Sequence, residues 1–325
     1  MRFERARKNR PVLLLTVLMA VVFTQFSPIA SSNNGFDISN AVIPQAEILR
    51  GGPPKDGIPA ISDPKLIKAE MAEYLSGDDR VVGINIDGVA KAYPISILNW
   101  HEIVNDEING QNYAITYCPL CGTAVAFDAN IDGKVTEFGV SGLLYNSDVL
   151  LYDRNTESLW SQITSSSVAG KMVGKKLKRI PISHTTWLDW QQKHPDTLVI
   201  SDKTGHSRDY ARNPYAGYET SRTLYFTVNN RAPDTYHPKE LVVGLDFDGV
   251  YKAYPFVELE KNGKSSFSDS INGNNITVKW DNANRSVNIF DSDGKEIAGI
   301  QGFWFAWFAF HPKTEVFRAG ELSSS

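Results

Sequence analysis

Residues 81–94 read VVGINIDGVAKAYP and residues 242–255 read VVGLDFDGVYKAYP, identical at ten of fourteen positions without a gap. Each copy carries the same physical script. Alternating apolar residues make a strand, Asp-Gly makes a tight hairpin turn, and a second strand ends in Tyr-Pro. Proline suits the first turn of a short helix, ISILNWHEIV in the first copy and FVELEKNG in the second. The match continues outward: Ile-Asn-Gly at 108–110 and 271–273, Ile115-Thr116 and Ile276-Thr277, Asp132-Gly133-Lys134 and Asp293-Gly294-Lys295. Thr156-Glu157 pairs with Thr314-Glu315 on the same reading.

The fold expected is α+β and β-rich: two related β-rich repeat units in one globular body with a few short helices. The units are placed at 75–160 and 241–318, joined by a connecting segment at 161–240, with 319–325 as a tail. That connector carries a helix, TTWLDWQQKH, capped by Thr185. Within 32–74 the pattern gives one amphipathic helix, LIKAEMAEYL, with Asp63 as cap and Pro64 at the first position. The aromatic run GFWFAWFAFH at 302–311 reads as a core strand or an interface.

A duplicated scaffold is an internal control. Residues shared by both copies, such as Asp87 and Asp248 or Pro94 and Pro255, answer to turns and strand ends. Residues present in one copy alone are the candidates for function. His101, Cys118 and Cys121 belong to the first copy only; Cys118 and Cys121 align approximately with Lys279 and Asn282, and they are the only two cysteines of the chain. Cys-Pro-x-Cys-Gly is the turn of a metal-binding knuckle, with glycine permitting the positive dihedral after the second ligand. His101 is the third ligand expected, and His184, His311, a carboxylate or water the fourth. Thiolate with imidazole favours copper or zinc. Two other readings stay open: a redox pair exchanging disulfides with a thiol-bearing partner protein, and an inert disulfide. The closed loop is so short that such a bridge stabilises by only about 2 kcal/mol. Attachment of c-type haem needs histidine directly after the second cysteine, where Gly122 stands. No Ser-His-Asp arrangement and no nucleotide-binding loop is present. Whether the chain is an enzyme is left open by these residues.

The chain opens with five basic residues among its first ten and then an apolar run, the grammar of an export signal. Residues 1–31 fit a cleaved signal peptide or an uncleaved anchor holding the protein to a membrane. The expected place of work is extracytoplasmic. Net charge is −4, and removing the first ten residues, with five positive charges and one negative, leaves −8. An acidic body without a basic patch excludes nucleic acid as a partner. The loop RDYARNPYAGY at 208–218 is either a site lining or a packed connector.

The motifs ILNWHEIVND, ITYCPLCGTAVAFD, FGVSGLLYNSDVLLYDRNTESLWSQ, NPYAGY and FWFAWFAFHPKTEVF occur in order between residues 48 and 317. Together they closely resemble the family called domain of unknown function 3179. The resemblance implies an exported or membrane-attached bacterial or archaeal protein and brings no established activity. It also directs attention to Tyr145, Asn146, Asp148, Arg154, Trp160 and Gln162, which lie in the longest of these motifs.

Overall fold

The computed structural model describes residues 33–321. The signal or anchor expected at 1–31 therefore lies outside the described residues. Among those described there are four α-helices, each of seven residues; none is long and apolar enough to cross a membrane. Strands carry the rest of the architecture.

The first unit opens with β1 (Arg80–Ile86) and β2 (Val89–Pro94). Their turn, Asp87-Gly88, has positive φ at both residues (51° and 85°), which matches the strand twist that a two-residue hairpin needs. Pro94 then leads into α1 (Ile95–His101), which buries Ile97, Leu98 and His101 on one face. Next come β3 (Ile103–Ile108), β4 (Gln111–Cys118) and β5 (Thr123–Asp128), an antiparallel meander. Residues 129–180 then depart from this order, returning to β5 only where Arg179–Ile180 pairs antiparallel with Phe127 and Ala126. They build a separate antiparallel sheet from β6 (Phe138–Tyr145), β7 (Asp148–Asp153), β8 (Leu159–Ser161) and β9 (Ser166–Ala169), with Leu49–Arg50 on its edge. The chain returns as β10 (Ser183–Thr186), α2 (Trp187–Lys193) and β11 (Leu198–Ile200).

The second stretch follows the same order: β12 (Leu241–Phe247), β13 (Val250–Pro255), α3 (Phe256–Asn262), β14 (Ser266–Ile271), β15 (Asn274–Asp281) and β16 (Ser286–Asp291). It ends in β17 (Ile300–Phe303), α4 (Trp304–Phe310) and β18 (Glu315–Val316). The ladders also agree. β10 lies antiparallel to β1 and β11 parallel to β2, just as β17 lies antiparallel to β12 and β18 parallel to β13. β17 additionally pairs with β5 at Gln301 and Ala124, so strands of both stretches run in one sheet.

Three side-chain devices recur. Trp190 lies on Gly83 and Trp307 on Gly244, and a Cβ at either glycine would meet the indole ring at 2.3 Å. Each indole N–H donates to a threonine, Thr197 at 2.9 Å and Thr314 at 3.0 Å. Lys91 with Asp106 (2.9 Å) and Lys252 with Asp269 (2.7 Å) are buried ion pairs. Tyr93 and Tyr254 donate to the same carboxylates. Such pairs are tolerated inside because each charge keeps several partners.

Several expectations are corrected. Thr314 takes the place of Thr197, not Thr156, because W-x-x-W-x-x-x-H-P-x-T runs through both 187–197 and 304–314. The first stretch is accordingly split by 129–180 rather than contiguous over 75–160. Residues 66–75 form no α-helix. Leu66–Lys68 is a strand that covers the outer edge of β11, followed by one 3₁₀ turn, and Asp63 has φ 52° in place of a cap conformation. Backbone pairing with an open edge outweighs a short segment's helical preference. The aromatic run is strand only to Phe303 and then becomes α4, apolar on almost every side because it is buried. The cap of α2 is Thr186, while Thr185 bonds the Asp189 side chain.

The glycines under the indoles give a direct test. Gly244→Ala forces the added methyl into Trp307 and should destabilise the protein by about 2–3 kcal/mol in urea unfolding. A change under 0.5 kcal/mol, on the order of a surface substitution, would show that α4 shifts freely on β12.

Candidate site at the two cysteines

Cys118 ends β4 and stands across from Thr123 at the start of β5. Between them the turn is closed by Cys121 N donating to Cys118 O at 3.1 Å. Gly122 has φ 60° and lies so close to Phe303 that a Cβ would approach its ring to 2.9 Å. Phe303 N in turn donates to Cys121 O at 2.7 Å. The knuckle is thus pinned from below by β17.

From above comes the β6–β7 hairpin. Asn146 and Ser147 both have positive φ (51° and 68°), a conformation that costs a serine roughly 1 kcal/mol or more. It aims the Ser147 carbonyl at the sulfurs, 3.3 Å from Cys121 Sγ and 3.9 Å from Cys118 Sγ, and both thiols donate to it. The next residue, Asp148, brings its carboxylate into the same place. Cys118 Sγ, Cys121 Sγ and an Asp148 oxygen all lie within 4.8 Å of one another, and all three residues are buried. Both cysteines are free thiols.

A polar chain holds Asp148 in position. Thr123 Oγ1 lies 3.2 Å from Asp148 Oδ1 and 2.6 Å from Gln162 Oε1, while Gln162 Nε2 donates to Thr116 Oγ1 at 2.8 Å. Ile163 N donates to the other Asp148 oxygen at 3.3 Å. Burial nevertheless pushes the Asp148 carboxyl up to about 7, against the pull of those hydrogen bonds. Burial also pushes both thiols up, Cys121 well above its ordinary value.

Glu102 adds a further buried acid. It caps α1 with φ 57° and ψ −33°, and its carbonyl accepts from Tyr117 N, next to Cys118, at 2.7 Å. Burial, then the charge of Asp148, raise its carboxyl to about 8. At the same place after α3 stands Gly263, with φ 66°. Glycine adopts that conformation freely, whereas glutamate is strained by it. The loop 208–218 closes the site on a further side: Tyr218 shares a buried cluster with both cysteines, and Tyr215 packs against that cluster.

His101 does not join this group. Its ring nitrogens are taken by Pro59 O (2.7 Å) and Tyr210 Oη (2.6 Å), on the other side of the helix-to-strand corner. Burial lowers its pKa to about 4. The other two histidines considered as ligands are also elsewhere: His184 Nδ1 meets Gln301 at 3.1 Å, and His311 stacks on Tyr251. The third donor is therefore a carboxylate from a distant hairpin. Spacing around the cysteines carried no sign of it; only its place in the longest family-like motif did. Of the companions in that motif, Gln162 positions Asp148, and Asn146 Oδ1 receives Asn229 N at 2.8 Å to hold the turn. Trp160 donates to Asp153, and Arg154 pairs with Asp56 and Glu137 away from the sulfurs.

Glu102 gives this site its stability test. Glu102→Gly removes the strain and should stabilise the full chain by about 1 kcal/mol. In the presence of a chelator, the native protein keeps a proton on Glu102 that the unfolded chain releases above its ordinary pKa. Stability should then fall as pH rises from about 5 to about 8, less steeply in the variant. Urea unfolding at several pH values checks both; a destabilised variant with an unchanged pH slope would contradict them.

No curated protein and no solved structure matches the chain. A family model, described as protein of unknown function (DUF3179), matches residues 55–314. The chain belongs to that family.

Proposed function

We propose that the chain works outside the cytoplasm and holds one thiophilic divalent cation, zinc in preference to copper(I), at Cys118, Cys121 and Asp148. We further propose that the two stretches described above are copies of one unit, of which only the first keeps the site. The observation that carries the metal reading is the convergence of two thiols and a carboxyl within 4.8 Å in a fully buried place. Among the described residues, no lysine or arginine lies within salt-bridge distance of Asp148 or Glu102. Buried acids without a cation stay protonated or call for one. Two sulfurs exclude calcium and magnesium, which take oxygen donors. Ionised, the three groups carry three negative charges. A divalent ion leaves one uncompensated in the interior and a monovalent ion leaves two, which favours zinc. The strained Asn146-Ser147 turn and the Thr123–Gln162 chain are what a metal site needs behind its ligands.

Thiol–disulfide exchange is the second reading, kept because the cysteines are reduced and adjacent. Reactive cysteines are partly exposed with depressed pKa values. These are 2% and 0% exposed and pushed up, which supports the metal reading over exchange.

Elemental analysis of full-length protein isolated from its native compartment should find about one zinc per chain. Cys118→Ser and Asp148→Asn should each weaken zinc binding by more than the roughly 10–100-fold typical of outer-shell changes, and His101→Ala should leave the stoichiometry intact. Folded Cys118→Ser protein with full zinc content would end the metal reading.

Placement follows from the basic-then-apolar start. Alkaline phosphatase, which is active only outside the cytoplasm, should be active when fused to the C-terminus. Inactive phosphatase beside a fluorescent cytoplasmic fusion would overturn it.

A further inference from the structure

The two stretches meet around a cavity of about 600 Å³ whose walls come from corresponding places in both. Arg80 and Leu241 begin β1 and β12, and His184 and Gln301 hold the same position in β10 and β17. Those last two touch, His184 Nδ1 to Gln301 Nε2 at 3.1 Å. An amide nitrogen can only donate, so Nδ1 accepts and the ring proton sits on Nε2. That N–H is buried and has no partner.

Beside it stands a second group, Arg80, and the carboxylate that favours its charge, Asp189, is already bonded by Thr185 and Lys193. The Arg80 guanidinium crosses to the other stretch and donates to the carbonyls of Asn284 (2.5 Å) and Arg285 (3.2 Å). Among the described residues it makes no salt bridge, although it is largely buried. Burial and the neighbouring Arg285 together depress its pKa to about 10. Arg285 lies over the Phe256 and Trp280 rings, and its carboxylate partner is the half-exposed Glu260 at 3.8 Å. Arg80, Arg285 and His184, whose buried Nε2–H is unsatisfied, thus line one cavity. Keeping like charges together in a partly dry place is unfavourable unless something negative joins them. Asp78, Glu219 and Glu240 also line the cavity, and among the described residues none of them is within salt-bridge distance of Arg80. Glu240 is engaged by Val257 N at 2.9 Å.

We propose that this cavity binds a small molecule ending in an oxyanion, held by the Arg80 and Arg285 guanidiniums and the His184 Nε2–H. Arginine suits such a group because its planar fork meets two oxygens at once. The volume accommodates a small metabolite rather than a bare ion. Tyr117 and Gly122, which adjoin the two cysteines in sequence, form part of the same wall, so the ligand lies next to the cysteine turn. The binding does not depend on any ion at the cysteines.

The test uses ¹⁵N-labelled full-length protein at pH 7 and constant ionic strength, with inorganic phosphate and acetate titrated separately. The His184 imidazole signals should shift saturably with at least one probe. Response to phosphate alone identifies a phosphate-terminated ligand, and response to acetate alone a carboxylate. Arg80→Gln and Arg285→Gln should each weaken that binding at least tenfold, and Arg222→Gln, an exposed residue paired with Asp234, should leave it unchanged. Should Arg80→Gln fail to fold, Arg285→Gln carries the comparison. Absence of any saturable shift overturns the proposal, and so does wild-type affinity in the folded arginine variants, which would mark an adventitious ion only.

Discussion

An indole lying flat on a strand leaves no room there for a Cβ, and that contact organises this protein. Trp190 on Gly83 seats α2 against β1, and Trp307 on Gly244 seats α4 against β12. Each helix is preceded by a strand, so fixing the helix fixes the strand. With α4 seated, β17 is held against both β12 and β5. Its last residue, Phe303, then lies under Gly122 and takes the Cys121 carbonyl. The position of the two sulfurs is in this sense decided by Gly244, a glycine on the first strand of the second hairpin. A methyl at Gly244 would be felt at the knuckle through β17.

What the sequence made legible, and what it hid, follows from how the contacts are encoded. The repeated hairpin was visible because strand, Asp-Gly turn and Tyr-Pro are local and occur twice without a gap. The W-x-x-W-x-x-x-H-P-x-T correspondence is as clear in the residues, yet its spacing differs from that of the hairpins because 129–180 intervenes in the first stretch alone. The sequence alignment of Cys118 with Lys279 and Cys121 with Asn282 was off by two. The turn after α3 spends extra residues before β14, so strand ends place Cys118 with Asp281 and Cys121 with Asn284. The knuckle itself was readable from its glycine and spacing. Asp148 was not, because a ligand delivered by a remote hairpin leaves no mark near the cysteines. His101 was misplaced for the converse reason. Presence in one stretch alone marks a residue as different, but the last turn of α1 decides which way it points, and that is toward Pro59 and Tyr210.

The acids around the sulfurs also show where stability has been given up. A glycine serves the end of α3 at φ 66°, and the same place after α1 holds glutamate at φ 57°. Burying a carboxyl on a strained backbone is doubly unfavourable. Natural chains retain such combinations where function needs the group. Ser147 belongs to the same pattern, a non-glycine residue in the left-handed region that turns its carbonyl onto both thiols. Glu102 and Ser147 are thus two of the non-glycine residues held in the left-handed region, and both approach the cysteines from outside the knuckle.

A scaffold whose two stretches share their ladders provides paired positions that the fold treats alike. Chemistry enters where the members of a pair differ. Glu102 corresponds in position to Gly263, Cys118 to Asp281, Cys121 to Asn284, Arg80 to Leu241 and His184 to Gln301. In each pair the first stretch carries the group able to bind or ionise in the cysteine site or the cavity. The second supplies a complement: Asn284 and Arg285 offer carbonyls to Arg80, and Gln301 fixes the tautomer of His184. At these pairs the first stretch carries the ionisable group and the second helps to orient it, while Arg285 of the second stands in the cavity beside Arg80. The cavity lies on the boundary between them because only there can a residue of one stretch be oriented by its counterpart.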